Sequence, residues 1–236
     1  MTPRNAIVIA LGQPSAPLAH DAVMHAMARE VGALLPGWDV RGATLESPQS
    51  LAAAADGQVQ PLVYPLFMAH GFFLEQVLPK RLKRLIPGAE ILPPFGDHPR
   101  LSDLVADILL EAAQAHGYAV EATAVLLAAH GSGKFPASRQ ATERLVADLA
   151  SRTRFRTIVA GYLEEAPFIH EAARDLGQAI CLPVFALAAS HVVTDVPDGL
   201  GQGGFAGVTL PPLGLHAKVP ALIAAALESH VRRQAA

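Results

Sequence analysis

The chain carries one unit written twice. Glu46 and Glu164, Pro65 and Pro183, Phe73 and His191, Pro79 and Pro197, and His98 and His216 are matched landmarks. Each pair is 118 residues apart, half of the 236-residue chain. A spacing held across five landmarks requires each half to build the same supersecondary arrangement. The differences between the copies then carry the chemistry. Phe73 of the first copy is His191 in the second. The first copy opens with a strand ending in Ala10-Leu11-Gly12, and its counterpart ends in Ala129-His130-Gly131-Ser132. Two histidines stand at these positions in one half only.

Within each half, short β-branched runs alternate with longer helical patterns. The strands are expected at 6–11, 39–45, 60–67 and 89–92, then at 124–129, 157–163, 179–186 and 207–210. The runs are almost continuously apolar, as when helices cover both faces of a parallel sheet. Helices are expected at 18–35, 47–54, 73–85 and 100–116, then at 136–152, 167–176, 192–200 and 217–233. In the first helix Val23, Met27, Val31 and Leu34 form the stripe expected to face the core. His20 and His25 on the same helix read as surface residues. The expected fold is α/β, two tandem homologous doubly wound parallel-sheet units, 1–118 and 119–236, with the boundary in 112–123. Hydrophobic residues make up 51% of the chain and charged ones 17%, enough apolar surface for large cores.

Charge and cysteine content exclude several classes. The net charge is −3, without the basic stripe of a nucleic-acid binder. The densest basic cluster, Lys80, Arg81, Lys83 and Arg84, reads as a solvated helix face, with Lys80, Arg81 and Arg84 also open to pairing with carboxylates of a ligand. Cys181 is the single cysteine, which excludes an internal disulfide and a cysteine-ligated zinc or iron–sulfur site. The first strand begins without a leader-like segment. No apolar run reaches the ~18 residues of a membrane span. A cytoplasmic protein without membrane or nucleic-acid partners is expected.

Ligands of open parallel sheets bind beyond the carboxyl ends of the strands. His130, Glu164 and His191 each follow a strand of the second half, so they are expected on one sheet edge. Two imidazoles and a carboxylate suit a divalent first-row metal and leave coordination positions open. A solitary histidine is more often a hydrogen-bonded structural residue. Its presence at two strand-end positions of one repeat alone argues for a ligand pair.

The segments Ala129-His130-Gly131-Ser132, Tyr162-Leu163-Glu164, Ser190-His191-Val192-Val193-Thr194-Asp195-Val196-Pro197 and Pro212-Leu213-Gly214-Leu215-His216 carry a resemblance. Together they resemble the class II tetrapyrrole chelatases, in the sirohydrochlorin cobaltochelatase and ferrochelatase branch (CbiX/SirB type). The resemblance implies two homologous domains facing across a cleft. It also implies insertion of Co²⁺ or Fe²⁺ into sirohydrochlorin or a related tetrapyrrole, on the routes to cobalamin or siroheme. His130, Glu164 and His191 match the metal-binding and catalytic positions. The metal is a substrate, and such donors also accept Ni²⁺ and Zn²⁺. Ser132, Lys134 and Arg139, with His70 of the first half, are candidates for holding the macrocycle. No iron–sulfur cluster is implied, and the chain is expected to act as a monomer or homodimer.

The first half departs from the pattern. Leu11 and Phe73 stand where histidines would be expected, so the active copy is the second. The alternative is a non-catalytic metal- or tetrapyrrole-delivery protein on a degenerate chelatase scaffold. Three other motifs are rejected. Gly131-Ser132-Gly133-Lys134 lacks the flanking residues of a phosphate-binding loop. The glycines at 199–204 do not join a first strand to a helix. His130-Gly131 lacks the preceding Arg of a histidine phosphatase.

Overall fold

The computed structural model describes residues 4–13, 16–133 and 136–235. In chain order the first elements are β1 (Arg4–Ala10), α1 (Pro17–Ala33), β2 (Trp38–Thr44), α2 (Pro48–Ala55), β3 (Leu62–Pro65), α3 (Leu78–Leu85), β4 (Glu90–Ile91) and α4 (Leu101–Ala115). The series then repeats as β5 (Ala124–Ala129), α5 (Ala137–Arg152), β6 (Thr157–Tyr162), α6 (Ile169–Ala172), β7 (Ala179–Pro183), α7 (Val196–Gln202), β8 (Val208–Thr209) and α8 (Val219–Gln234). All eight expected strands are present among the described residues.

They form two four-stranded sheets, β2-β1-β3-β4 and β6-β5-β7-β8, with every pairing parallel. The central strands explain the unbroken apolar runs. Ala6–Ala10 of β1 are wholly buried, and Ala124–Ala129 of β5 are no more than 2% exposed. A strand flanked on both faces has no polar side. In the first sheet Ile7, Ile9 and Val63 pack with Leu51, Leu74 and Leu78. In the second, Leu126, Ala128 and Cys181 pack with Ile169, Val196 and Leu200. Register brings strand ends level: Ala10 pairs with Thr44, and Ala129 with Tyr162.

The spatial units do not coincide with the sequence halves. One compact unit takes in residues up to His98 and those from Ala217 onward, and the other runs Pro99–His216. The boundaries 1–118 and 119–236 are thus corrected: the two repeats exchange their last helices. Helix α4 packs on α5 and β7, whereas α8 packs on α1 and β3. Polar contacts seat each one. Ser102 donates to Asp148 at 2.7 Å and Arg152 pairs with Asp103 at 2.6 Å. His230 meets Glu90 at 3.0 Å, and Gln234 donates to the same carboxylate at 3.0 Å. The exchange begins at the equivalent residues His98 and His216.

Two local expectations are corrected. The buried stripe of α1 is Met24, Met27, Ala28, Val31 and Leu35, while Leu34 is 50% exposed. That rotation carries His20 inward to 6% exposure and leaves His25 outside. The helix expected at 167–176 shrinks to α6. Beyond it Asp175 and Gly177 both adopt positive φ, at 55° and 60°, so the helix does not continue to 176. Among the described residues, no helix is long and apolar enough to cross a membrane.

Candidate functional site

His130 is the first residue beyond β5. Gly131 then turns the chain at φ 69°, and a Cβ there would stand 2.9 Å from Tyr162 Cβ, so only glycine fits. Glu165 holds this turn from the neighbouring strand end: its Oε1 accepts the Ser132 backbone N–H at 2.7 Å. Arg139 holds Glu165 in turn. Its guanidinium donates to Glu165 Oε2 at 3.4 Å, to Glu143 at 2.7 Å and to the Ala166 carbonyl at 2.9 Å. It also lies 5.6 Å above the Tyr162 ring. Hydrogen bonding and charge from Glu143 raise the Arg139 pKa. Burial pushes the Tyr162 hydroxyl up to about 12.

His191 arrives from the other side, on the connection after β7. It opens a π-helical turn, His191–Asp195, that runs directly into α7. Pro197 gives the reason for the wide turn. Proline has no N–H for the carbonyl four residues back and its ring collides with it, and a wider turn absorbs the misfit. Pro79 is matched by the same π-helical turn, Phe73–Val77, before α3. At the first residue of that turn one repeat carries His191 and the other Phe73.

The two imidazoles meet edge to face, with centroids 4.8 Å apart and planes at 89°. Phe185 lies 6.4 Å from the His191 ring. His130 Nδ1 is 2.8 Å from the Gly131 carbonyl, and His191 Nδ1 is 2.6 Å from Asp195 Oδ2. Both partners only accept, so each Nδ1 carries the proton and donates. In its neutral form each ring then keeps its lone pair on Nε2. Metal-ligating histidines are commonly oriented by such a second hydrogen bond, to a carbonyl or a carboxylate.

Sheet topology explains why these two meet. In the order β6-β5-β7-β8 the chain leaves β5 to opposite sides, which makes the β5/β7 crevice the switch point where α/β sheets bind ligands. His130 and His191 follow the two strands that flank it. Glu164 follows β6, on the outer side. Its backbone N–H donates to the His130 carbonyl at 3.0 Å, and its side chain is exposed. Among the described residues, no three His, Cys, Asp or Glu side chains group closely enough to hold a metal ion.

The macrocycle-binding candidates are placed less simply. Arg139, expected to meet substrate carboxylates, is committed to two protein carboxylates and a carbonyl. Ser132 uses its N–H on Glu165. His70 places Nε2 2.9 Å from Asp97 and Nδ1 3.3 Å from Glu75. Lys134 lies outside the described residues. Sequence reasoning missed Asp195 and Glu165 as supports. The spacing of four between His191 and Asp195 was the available signal, and Glu165 stood beside the carboxylate that was chosen.

Comparisons with known proteins bear on the family and the fold. The CbiX family model matches residues 124–230, which span both histidines. The chain is 45% identical to a CbiX of solved structure described as the terminal enzyme for biosynthesis of siroheme in denitrifying bacteria. That match covers 96% of this chain and 99% of the other, with a TM-score of 0.88. SirB from Bacillus subtilis, solved with Fe³⁺, is 14% identical over 96% of this chain and 95% of its own, with a TM-score of 0.74. The sirohydrochlorin chelatase SirB of the subspecies spizizenii, in complex with cobalt, is 12% identical over 96% and 94%, at 0.69. At such identities the SirB likeness is one of fold. The search of curated proteins gave no match.

Proposed function

The chain belongs to the CbiX family, and on that premise we propose that it is a chelatase inserting a divalent metal, Co²⁺ or Fe²⁺, into sirohydrochlorin or a closely related tetrapyrrole. The observation that carries this reading is the imidazole pair. Two rings 4.8 Å apart, each with Nδ1 engaged, leave two Nε2 atoms at one sheet edge.

Such a pair suits both halves of the reaction. Metal insertion exchanges two pyrrole N–H protons for one M²⁺, so the site must hold a metal loosely and receive protons. Two neutral donors leave most of the coordination sphere open, unlike a closed four-ligand structural site. Once the metal passes to the ring nitrogens, the freed Nε2 lone pairs are bases within reach of the macrocycle. The Asp195 carboxylate steadies the positive charge on a protonated His191. Glu164, exposed and tied through its backbone to His130, is assigned the onward transfer of protons to solvent. This work is placed in the cytoplasm, in a monomer or homodimer.

The test is anaerobic mixing of the protein with sirohydrochlorin and Co²⁺ or Fe²⁺, followed by visible spectroscopy beside a protein-free control. Multiple turnovers above the control rate, lost in His191→Ala, are expected. A spectral change that stops at one equivalent would identify a delivery protein instead.

A further inference from the structure

The first-repeat unit has its own cavity of about 460 Å³, lined by Phe72, Gln76, Val77, Lys80, Arg81 and Arg84. This lies within the usual size range of small-molecule sites. Its lining joins an aromatic and aliphatic wall to three cations. Phe72 is 53% exposed and packs edge to face on Phe73, 5.6 Å between centroids. Arg81 donates to the Leu45 carbonyl, which anchors it at the end of the cavity. Lys80 and Arg84 are exposed, and neither has an ion-pair partner among the described residues.

The repeat supplies a control within the same chain. The buried positions of this segment stay apolar in both copies: Leu78 matches Val196, and Leu82 matches Leu200, all at most 5% exposed. The cavity-facing positions do not. Phe72, Val77, Lys80, Arg81 and Arg84 correspond to Ser190, Asp195, Asp198, Gly199 and Gln202. Packing is preserved while charge reverses, so the difference concerns what each surface meets. The copy that holds the imidazole pair is acidic here, as suits a cation. The copy without it is basic and aromatic, as suits a flat polyanion.

We propose that this cavity of the first-repeat unit is a binding site for the polycarboxylate tetrapyrrole, with Lys80 and Arg84 pairing with carboxylates along one edge of the macrocycle and Phe72 against its apolar face. The proposal rests on the chelatase reading for the identity of the ligand. Charge-assisted hydrogen bonds from Lys and Arg to carboxylates supply the attraction. Because both cations are exposed, each contributes modestly and is screened by salt. Arg139, the cation first expected in this role, is already committed to Glu143 and Glu165.

The experiment is equilibrium binding of metal-free sirohydrochlorin, read by its fluorescence at low and high salt, together with steady-state insertion kinetics. The double variant Lys80→Gln/Arg84→Gln is expected to raise Kd and KM about 10-fold at low salt and to flatten the salt dependence. Lys83→Gln, on the same helix but outside the cavity, is expected to stay within about twofold. His191→Ala is expected to stop turnover and leave macrocycle Kd in place. Parental affinity in the double variant overturns the proposal, as does an equal loss in Lys83→Gln, which would indicate net charge alone. Absence of macrocycle binding to the parent protein also overturns it. Binding that depends on Lys80 and Arg84 in a parent protein that never turns over would sink the chelatase reading and leave the site standing.

Discussion

The segments 72–84 and 190–202 share a backbone plan and differ in nearly every side chain that leaves it. Both begin in a π-helical turn, both follow it with proline, and both bury the matched pairs Leu78/Val196 and Leu82/Leu200. One presents two phenyl rings and four cations, the other a histidine and two aspartates. The widened turn is therefore a property of the scaffold, set by Pro79 and Pro197, and is not itself the catalytic device. A duplicated unit has kept its frame and divided its side chains, with an imidazole and carboxylates in one copy and a cationic, aromatic surface in the other.

The comparison breaks most completely at the imidazoles. His130→Ala or His191→Ala is expected to lower insertion by about 100- to 10,000-fold, the range of a lost acid–base group, with circular dichroism unchanged. Parental rates in either variant would remove the pair from the mechanism. Asp195→Asn comes next. It leaves the ring in place but loosens its orientation, and metal affinity measured by competition with a chelating dye is expected to fall about 10- to 100-fold. Val77→Asp, the reciprocal change beside Phe73, is expected to add no metal binding, since a support without a ligand holds nothing. Glu164→Gln is expected to slow turnover by about 10-fold with metal affinity retained. Leu11→Ala, at the counterpart of His130, is expected to leave insertion within about twofold and to cost about 1 kcal/mol of stability, because Leu11 packs only partly on its core.

The smallest effect at neutral pH concerns burial. The Cys181 thiol and the Tyr162 hydroxyl are both pushed up to about 12 by burial, from 9.0 and 10.0. Between the unfolded and folded values the native state keeps protons that the unfolded chain releases. Stability is thus insensitive to these groups below pH 9.0 and falls as pH rises toward about 12. Urea midpoints at neutral pH and in the alkaline window should separate, and Cys181→Ala should narrow the gap.

Strands were legible because their cause is local: a run such as Ala124–Ala129, buried on both faces, has to be apolar throughout. His130 and His191 were legible because the repeat supplied a reference for each position. Other features depend on contacts that no local pattern records. A π-helical turn differs from an α-helical one by a single residue, which leaves the apolar spacing of 73–85 almost unchanged. The part Glu165 plays depends on its carboxylate reaching the Ser132 N–H across two strand ends. The stripe of α1 misled because Met24 and Leu35 fit the same period as Val23 and Leu34, one residue over.

The exchanged helices bear on the order in which the molecule can be made. Pro99–His216 is continuous, so every element of the histidine-bearing unit has been synthesised once His216 emerges from the ribosome. The other unit is begun first and completed last, for its sheet lacks α8 until residues 219–234 have been translated. During elongation the unit that starts the chain has to wait, open on one side, while the later one closes.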